Sequence, residues 1–196
     1  MFVQVIEGKT SDPAALMEHS DRWQREVRPD AIGYLGVTAG ATADGRTIAI
    51  VRFEDEASAR ANAARPEQTA WFEGMARLYD GEPAFTESSD VTEWMGGGSN
   101  DAGFVQVMKS KGVDRAQVEK MDALFAPFAD QRPDLLGGLR IWTGPDSCID
   151  VAYFTTEEEA RKGEQAEMPD EMKELMSDFE DMGETEYLDL TDPQLR

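Results

Sequence analysis

The sequence of 196 residues contains the same series of motifs twice, and this internal repeat limits the folds that the chain can adopt. The paired motifs follow in the same order: FVQV at 2–5 and 104–107, RPD at 28–30 and 132–134, Phe-x-x-Glu-x-x-Ala-Arg at 53–60 and 154–161, and Gly-Glu at 81–82 and 183–184. We therefore interpret the chain as two divergent copies of one unit, residues 1–95 and 102–196, joined by a flexible glycine-rich linker at 96–101.

Each copy has the patterning of a β-α-β-β-α-β unit. Asp12, which precedes a proline, and Asp114 are predicted to cap the first helices. Pro127 should kink or shorten the helix of the second copy. Asp44-Gly45 predicts a hairpin turn, and Gly81 is expected to end the second helical region of the first copy.

This order of elements predicts an α+β fold in which each copy forms a four-stranded antiparallel sheet with both helices on one face, the ferredoxin-like arrangement. An extra short strand is possible at 91–94. The central hairpin of the second copy is apolar on both faces, so the free face of each sheet needs cover. We expect the two sheets to pack face to face within the chain, which gives a monomeric pseudo-dimer. The alternative oligomeric state is a homodimer.

The net charge of −21 excludes two classes of partner. Both copies are acidic, and such a field repels phosphate backbones and anionic lipid surfaces. We therefore predict neither a nucleic-acid nor a membrane partner, and we interpret the acidity as favouring solubility or tolerance of a salty interior. No apolar stretch is long enough to span a bilayer, and the first residues lack the pattern of a signal peptide, so a cytoplasmic protein is expected.

Cofactor and metal signatures are missing from the sequence. Cys148 is the only cysteine, which excludes an intrachain disulfide and a thiolate cluster, and a buried structural thiol is expected. There is no paired metal-ligand spacing, phosphate-binding glycine loop, or Ser/His/Asp order. We predict neither a cofactor nor a metal.

Several side chains could serve a site, and each also has a structural interpretation. His19, the only histidine, lies at the edge of the apolar helix stripe and could act as a general base or simply pack; Met121 takes its place in the second copy. Trp71, Phe72 and Met75 could wall an aromatic pocket or fill the core. A methionine-rich stripe at 168–179 could bind ligands or fill the core of the second copy.

Charged residues on the central strands form the second group of candidates. Asp150 interrupts an apolar strand, where an unpaired carboxylate is costly, and Arg140 on the preceding strand could pair with it. Arg52 and Tyr153 occupy equivalent positions in the two copies and could face a cavity. The hairpin register decides between a cavity and a strand-edge ion pair.

The chain resembles the dimeric α/β-barrel proteins related to antibiotic-biosynthesis monooxygenases, in a form with both halves fused. The resemblance rests on the β-α-β-β-α-β order, the Phe-x-x-Glu-x-x-Ala-Arg motif, and the stretch RPEQTAWF at 65–72 that leads to DGEP at 80–83. Members that oxidise aromatic substrates without metal or flavin place an asparagine on the first strand and a tryptophan on the second helix. The corresponding positions are Gln4 and Trp71. The histidine used by haem-degrading relatives has no counterpart here.

These observations lead to two hypotheses. The first is a small-molecule-binding barrel, with the resemblance implying a cofactor-independent monooxygenase-like enzyme that acts on a hydrophobic or aromatic substrate. Its catalytic candidates are His19, Gln4 and Trp71, and its substrate-binding candidates are Trp23, Arg52, Phe72, Met75, Arg140, Asp150 and Tyr153. The second is a non-catalytic binding or accessory protein that retains the fold only. Any catalysis is expected in the first copy, because His19 and Trp71 occur only there.

Overall fold

A computed structural model describes residues 1–165, 173 and 183–196. The elements are β1 (Phe2–Lys9), α1 (Pro13–Glu26), β2 (Tyr34–Ala41), β3 (Arg46–Phe53), α2 (Glu56–Ala63), α3 (Pro66–Ala76), β4 (Ala84–Ser88), β5 (Val91–Trp94), β6 (Phe104–Lys111), α4 (Arg115–Phe125), β7 (Leu135–Gly144), β8 (Ser147–Phe154), α5 (Glu157–Gln165), β9 (Glu184–Thr191) and β10 (Gln194–Leu195). The predicted methionine-rich stripe at 168–179 lies outside the described residues, apart from residue 173.

The predicted helix starts are confirmed by side-chain caps. The carboxylate of Asp12 accepts a hydrogen bond from the backbone N–H of Ala15 at 3.0 Å, and Asp114 accepts from Ala116 and Gln117 at the start of α4. Each cap satisfies N–H groups that have no partner within the first turn of a helix. The sequence therefore specifies where the first helix of each copy begins.

Two helix ends show where local signals hold and where they do not. α4 ends at Phe125, and a 3₁₀ helix carries Pro127, as the proline predicts. α3 ends at Ala76, earlier than the expected stop at Gly81. Tertiary hydrogen bonds take over the backbone there, because Thr10 Oγ1 donates to the Leu78 carbonyl at 2.7 Å.

The strands form two antiparallel sheets, in the orders β10-β2-β3-β1-β4 and β5-β7-β8-β6-β9. The α+β class and the tandem ferredoxin-like fold are confirmed, but the predicted four-stranded sheets are wrong, because each sheet has a fifth strand at its edge. β10 pairs with β2 in the first sheet, and the possible strand at 91–94 exists as β5 beside β7 in the second. These additions pair edge N–H and C=O groups that would otherwise be open.

The chain divides into two compact units. The first unit contains Met1–Val91 with Leu190–Arg196, and the second contains Thr92–Asp189. The boundaries 1–95 and 102–196 and the face-to-face packing of the sheets remain predictions from the sequence. None of the described helices is long and apolar enough to cross a membrane.

A β-bulge recurs in the same place in both units and sets which side chains face the helices. Tyr34 pairs with Phe53 and Gly36 with Arg52, so Leu35 is the extra residue of β2. In the second unit Leu135 pairs with Phe154, and the same shift occurs before Gly137. Beyond the bulge the strands pair without interruption to Ala41 in β2 and to Trp142 in β7, so equivalent positions can be compared residue by residue.

Candidate functional site

The first unit contains a cavity of about 330 Å³ between the helices and the helix-side face of its sheet. α1, α2, α3 and the central strands all contribute to its walls, which are largely apolar. Gln194, next to the C-terminus, lines it as well, and its Nε2 donates to the carbonyl oxygen of Met17 on α1 at 3.3 Å. The last strand therefore forms part of the wall.

Short side chains on the two central strands create this space. Ala39 and Ala49 lie opposite each other on β2 and β3, and both line the cavity. Ser20 lines it from α1. Because protein interiors are otherwise packed to the density of organic crystals, small residues at facing positions leave room for a ligand.

The second unit carries charged residues at the equivalent positions. Arg140 and Asp150 lie opposite each other on β7 and β8, where the first unit has its two alanines. The Nε of Arg140 donates to Asp150 Oδ1 at 2.7 Å, and its Nη1 donates to Asp122 of α4, which corresponds to Ser20. The predicted pairing of Arg140 with Asp150 is confirmed. Three side chains that form one ion cluster therefore stand where the first unit has its space.

Burial controls the chemistry of this cluster. It raises the pKa of Asp150, against the opposing effect of the Arg140 guanidinium. Burial also raises the pKa of the Cys148 thiol to about 12, and the nearby Asp150 adds to the effect. Cys148 is only 3% exposed and packs with Trp142. A thiol with so high a pKa is not a nucleophile at neutral pH, which agrees with the expected structural role.

Aromatic rings form one wall of the first-unit cavity. The ring of Trp23 lies 4.8 Å from that of Tyr34 and 6.1 Å from that of Trp71, and Phe72 lies 6.4 Å from Trp71. The Nε1 of Trp23 donates to Gln68 Oε1 at 2.6 Å, which fixes the indole ring. The wall therefore presents flat, oriented π surfaces, which favour contact with another aromatic ring.

His19 packs against Trp71 and is not among the residues that line the cavity. The two rings stack 5.3 Å apart at 21°, and the Trp71 indole N–H donates to the His19 carbonyl at 3.0 Å. His19 Nε2 lies 2.9 Å from the Trp71 carbonyl oxygen. A carbonyl oxygen can only accept, so His19 Nε2 is the donor in this hydrogen bond. The imidazole thus joins α1 to α3.

Gln4 lines the cavity, but its amide is held by a carboxylate. Gln4 Nε2 donates to Glu87 Oε1 at 2.7 Å, and Arg60 Nη1 donates to the same oxygen at 2.7 Å. Glu56 binds Arg60 one helical turn away. The hydrogen bond from Arg60 lowers the pKa of Glu87, so the carboxylate stays charged at neutral pH.

The same arrangement recurs in the second unit. Gln106 Nε2 donates to Asp189 Oδ1 at 3.0 Å, Arg161 binds the other oxygen of Asp189, and Glu157 binds Arg161. The repeated Phe-x-x-Glu-x-x-Ala-Arg motif therefore supplies an arginine that binds the carboxylate of the neighbouring strand, and the glutamine joins that strand to the first strand of the unit. Its presence in both units indicates a structural role for the motif.

A polar pair at the cavity had no signal in the sequence. Gln24 of α1 and Tyr34 at the start of β2 both line the cavity, and Gln24 Nε2 donates to Tyr34 Oη at 3.4 Å. Gln24 Oε1 is buried without a hydrogen-bond partner. Burial raises the pKa of the Tyr34 phenol, which keeps it protonated. The bulge that directs Tyr34 inward cannot be read from the sequence.

The structure separates the candidate residues into groups. Cavity-lining residues are Gln4, Trp23, Trp71, Phe72 and Met75. Arg52 lies between Val51 and Phe53, which line the cavity, and therefore points to the opposite face of β3. Successive side chains of a strand alternate between its faces, so Tyr153 and Asp150 point to opposite faces of β8. Both residues belong to the second unit.

Within the described part of the chain, no group of three or more His, Cys, Asp or Glu side chains is placed to hold a metal ion.

Comparison with known proteins identifies relatives by structure alone. No protein-family model and no curated protein matches the sequence. A Lactobacillus acidophilus NCFM protein provisionally named a monooxygenase has a TM-score of 0.73 at 13% identity, with 99% of this chain and 95% of that chain covered. A Fusobacterium nucleatum protein with the same provisional name has a TM-score of 0.74 at 10% identity, covering 100% and 93%. An anthrone oxidase-like protein has a TM-score of 0.66 at 12% identity, covering 100% and 92%.

These similarities confirm the resemblance as one of fold. They extend over the whole chain, so the fused two-unit form is shared as well as the single ferredoxin-like unit. At such low identity a shared fold carries no reaction with it, because one fold hosts many functions.

Proposed function

We propose that the protein binds a hydrophobic aromatic small molecule in the cavity of its first unit. One observation carries the proposal: an apolar cavity walled by oriented aromatic rings lies where the second unit holds an ion cluster. The volume falls at the lower end of the range of roughly 300–1,000 Å³ that is usual for ligand pockets. A bicyclic or tricyclic aromatic molecule has a suitable shape for such a site.

Calorimetric titration with naphthalene derivatives tests this binding directly. We expect one molecule to bind per chain, with a negative heat-capacity change, because apolar surface leaves water on both partners. Replacing Trp23 by alanine should weaken binding, since the ring contributes to the cavity wall, while the exposed Met95 offers a control position for the same change. The proposal fails if the wild-type protein binds none of these compounds.

Oxygenation of the bound molecule is the second candidate function. Two of the candidate catalytic residues, Gln4 and Trp71, line the same cavity, and the structural relatives bear names of oxidising enzymes. For an anthrone the reaction would consume one O₂: the ring CH₂ loses both hydrogens, its carbon gains one oxygen atom to become a carbonyl, and the second oxygen atom leaves with the hydrogens as water. Molecular oxygen is the oxidant, and the aromatic ketone is the reductant.

Oxygen uptake with an anthrone measures this activity. If turnover occurs, Trp71→Ala should lower it strongly because Trp71 lines the cavity, and His19→Ala should lower it by removing the contact that holds Trp71, whereas Met121→Ala in the second unit should leave it unchanged. Equal losses from both units would contradict a site in the first unit. Binding without oxygen uptake would leave the protein a binding protein, an outcome favoured by the way Glu87 holds the Gln4 amide and Trp71 holds the imidazole.

A further inference from the structure

We infer that Gln24 and Tyr34 together recognise a hydroxyl group on the ligand. The inference deepens the proposed function and rests on it. It concerns a polar pair in the largely apolar cavity wall, where the buried amide oxygen of Gln24 has no hydrogen-bond partner.

The two side chains present complementary hydrogen-bonding groups. Gln24 Nε2 donates to the phenolic oxygen of Tyr34, so the Tyr34 O–H remains able to donate to another group. Gln24 Oε1 is left as an acceptor. A ligand group that both donates and accepts can satisfy the pair, and a hydroxyl is the smallest such group.

The conclusion does not depend on the orientation of the amide. If the amide is turned over, Tyr34 donates to Gln24 Oε1, while Gln24 Nε2 becomes the free donor and the phenolic oxygen becomes the free acceptor. The pair still offers at least one donor and one acceptor. A carbonyl or ether, which only accepts, leaves the acceptor of the pair unsatisfied in both orientations, and a buried unsatisfied polar group is costly.

Surrounding rings hold the tyrosine in place for this role. The Tyr34 ring lies 4.8 Å from Trp23 and 6.2 Å from Phe53, and the Arg28 guanidinium lies 5.8 Å from its centre. Because burial raises the pKa of the phenol, it stays protonated through the physiological pH range. A donor that is positioned before the ligand arrives loses little freedom on binding.

The second unit lacks this pair. Leu135 occupies the position of Tyr34 at the equivalent bulge, and its side chain has no hydrogen-bonding group. Alignment of Leu16 with Val118 places Ala126 at the position of Gln24. The second unit therefore offers no equivalent donor–acceptor pair at these two positions.

Calorimetric titration with 2-naphthol and 2-methylnaphthalene, which have nearly the same shape, tests the inference. The measured quantity is the ratio of the two affinities in each variant, compared with the wild-type ratio, so that differences in the hydration of the free ligands cancel. Gln24→Leu and Tyr34→Phe should each lower the affinity for 2-naphthol relative to that for 2-methylnaphthalene by about 5- to 10-fold, which is the effect of one lost hydrogen bond. Gln117→Leu on α4 is the matched control and should leave the ratio unchanged.

The possible outcomes separate the two proposals. A ratio that is unchanged in both cavity variants, with 2-methylnaphthalene still bound and thermal unfolding still cooperative, overturns hydroxyl recognition but leaves the proposed function in place. Hydroxyl recognition is also overturned if the wild-type protein prefers 2-methoxynaphthalene to 2-naphthol more strongly than the two variants do, since the ether cannot donate. Absence of binding by every compound overturns the proposed function and this inference with it.

Discussion

Replacing Ala49 by phenylalanine is expected to abolish most ligand binding while the protein stays folded. Ala49 lies on β3 opposite Ala39, and both line the cavity of the first unit. A phenyl ring at this position can enter the empty space, whereas in a filled core it would displace neighbours. A ligand must then expel the ring from its buried place before it can bind.

The expected effect follows from the cost of exposing that ring. Fully burying a phenylalanine side chain stabilises a protein by about 1.5–3 kcal/mol relative to leaving it in water. Losing this contribution on binding corresponds to an affinity lower by roughly 10- to 150-fold. Calorimetric titration of the variant with 2-methylnaphthalene gives the measurement, and thermal unfolding establishes that the fold is intact.

Ala61→Phe is the matched control for this variant. Ala61 is exposed on α2, so the same chemical change there should leave the affinity as in the wild type. A folded Ala49→Phe protein that binds the ligand as tightly as the wild type would place the site somewhere other than the cavity. Equal loss in both variants would point to a general effect on solubility or folding.

Replacing Arg140 by methionine is expected to lower the stability of the protein strongly. The side chains of Arg140 and Asp150 are only 16% and 14% exposed, and the two form a direct ion pair. Removing the guanidinium leaves the Asp150 carboxylate buried without its cationic partner. Breaking a buried pair in this way lowers the free energy of unfolding by about 3–5 kcal/mol. Urea denaturation at neutral pH measures the change.

The loss of stability in the Arg140→Met variant should become smaller as the pH falls. Burial raises the pKa of Asp150 in the folded protein, so the native state holds the proton more tightly than the unfolded chain does. Ionisation of Asp150 therefore opposes folding as the pH rises above the ordinary aspartate range, and protonation relieves this cost as the pH falls through the raised value. Without Arg140 the carboxylate is less compensated, so the variant should recover stability on acidification more than the wild type does.

The double variant Arg140→Met/Asp150→Leu provides the control. It removes both charges, and apolar residues of similar volume often replace a buried pair with little loss. We expect most of the lost stability to return and the added pH dependence to disappear. A single variant as stable as the wild type at neutral pH would show that water screens the cluster and that the pair contributes little.

The repeats, the helix starts and the fold class could be predicted because they depend on local chemistry. Asp12 and Asp114 cap their helices through their own side chains, and Pro127 ends α4 by removing an N–H group. The alternation of apolar residues defines strands without knowledge of their partners. A partner for Asp150 could be anticipated because a carboxylate inside an apolar strand is costly without one, and the register of the hairpin then places Arg140 opposite it.

Other features depended on groups that are distant in the sequence. α3 ends before Gly81 because Thr10 binds a carbonyl beyond the helix, and β10 joins the first sheet at the far end of the chain. Gln4 and His19 could be named as polar candidates, but their partners, Glu87 and the Trp71 carbonyl, follow only from the packing.

Caps, turns and periodicity act between neighbouring residues, so they are enough to specify a duplicated β-α-β-β-α-β unit and the starts of its first helices. The position of the cavity depends on contacts between strands. Ala39 and Ala49 are unremarkable in their separate strands, and only the pairing of β2 with β3 brings them together. The bulge then turns Tyr34 toward Gln24, because a shift of one residue exchanges the two faces of a strand.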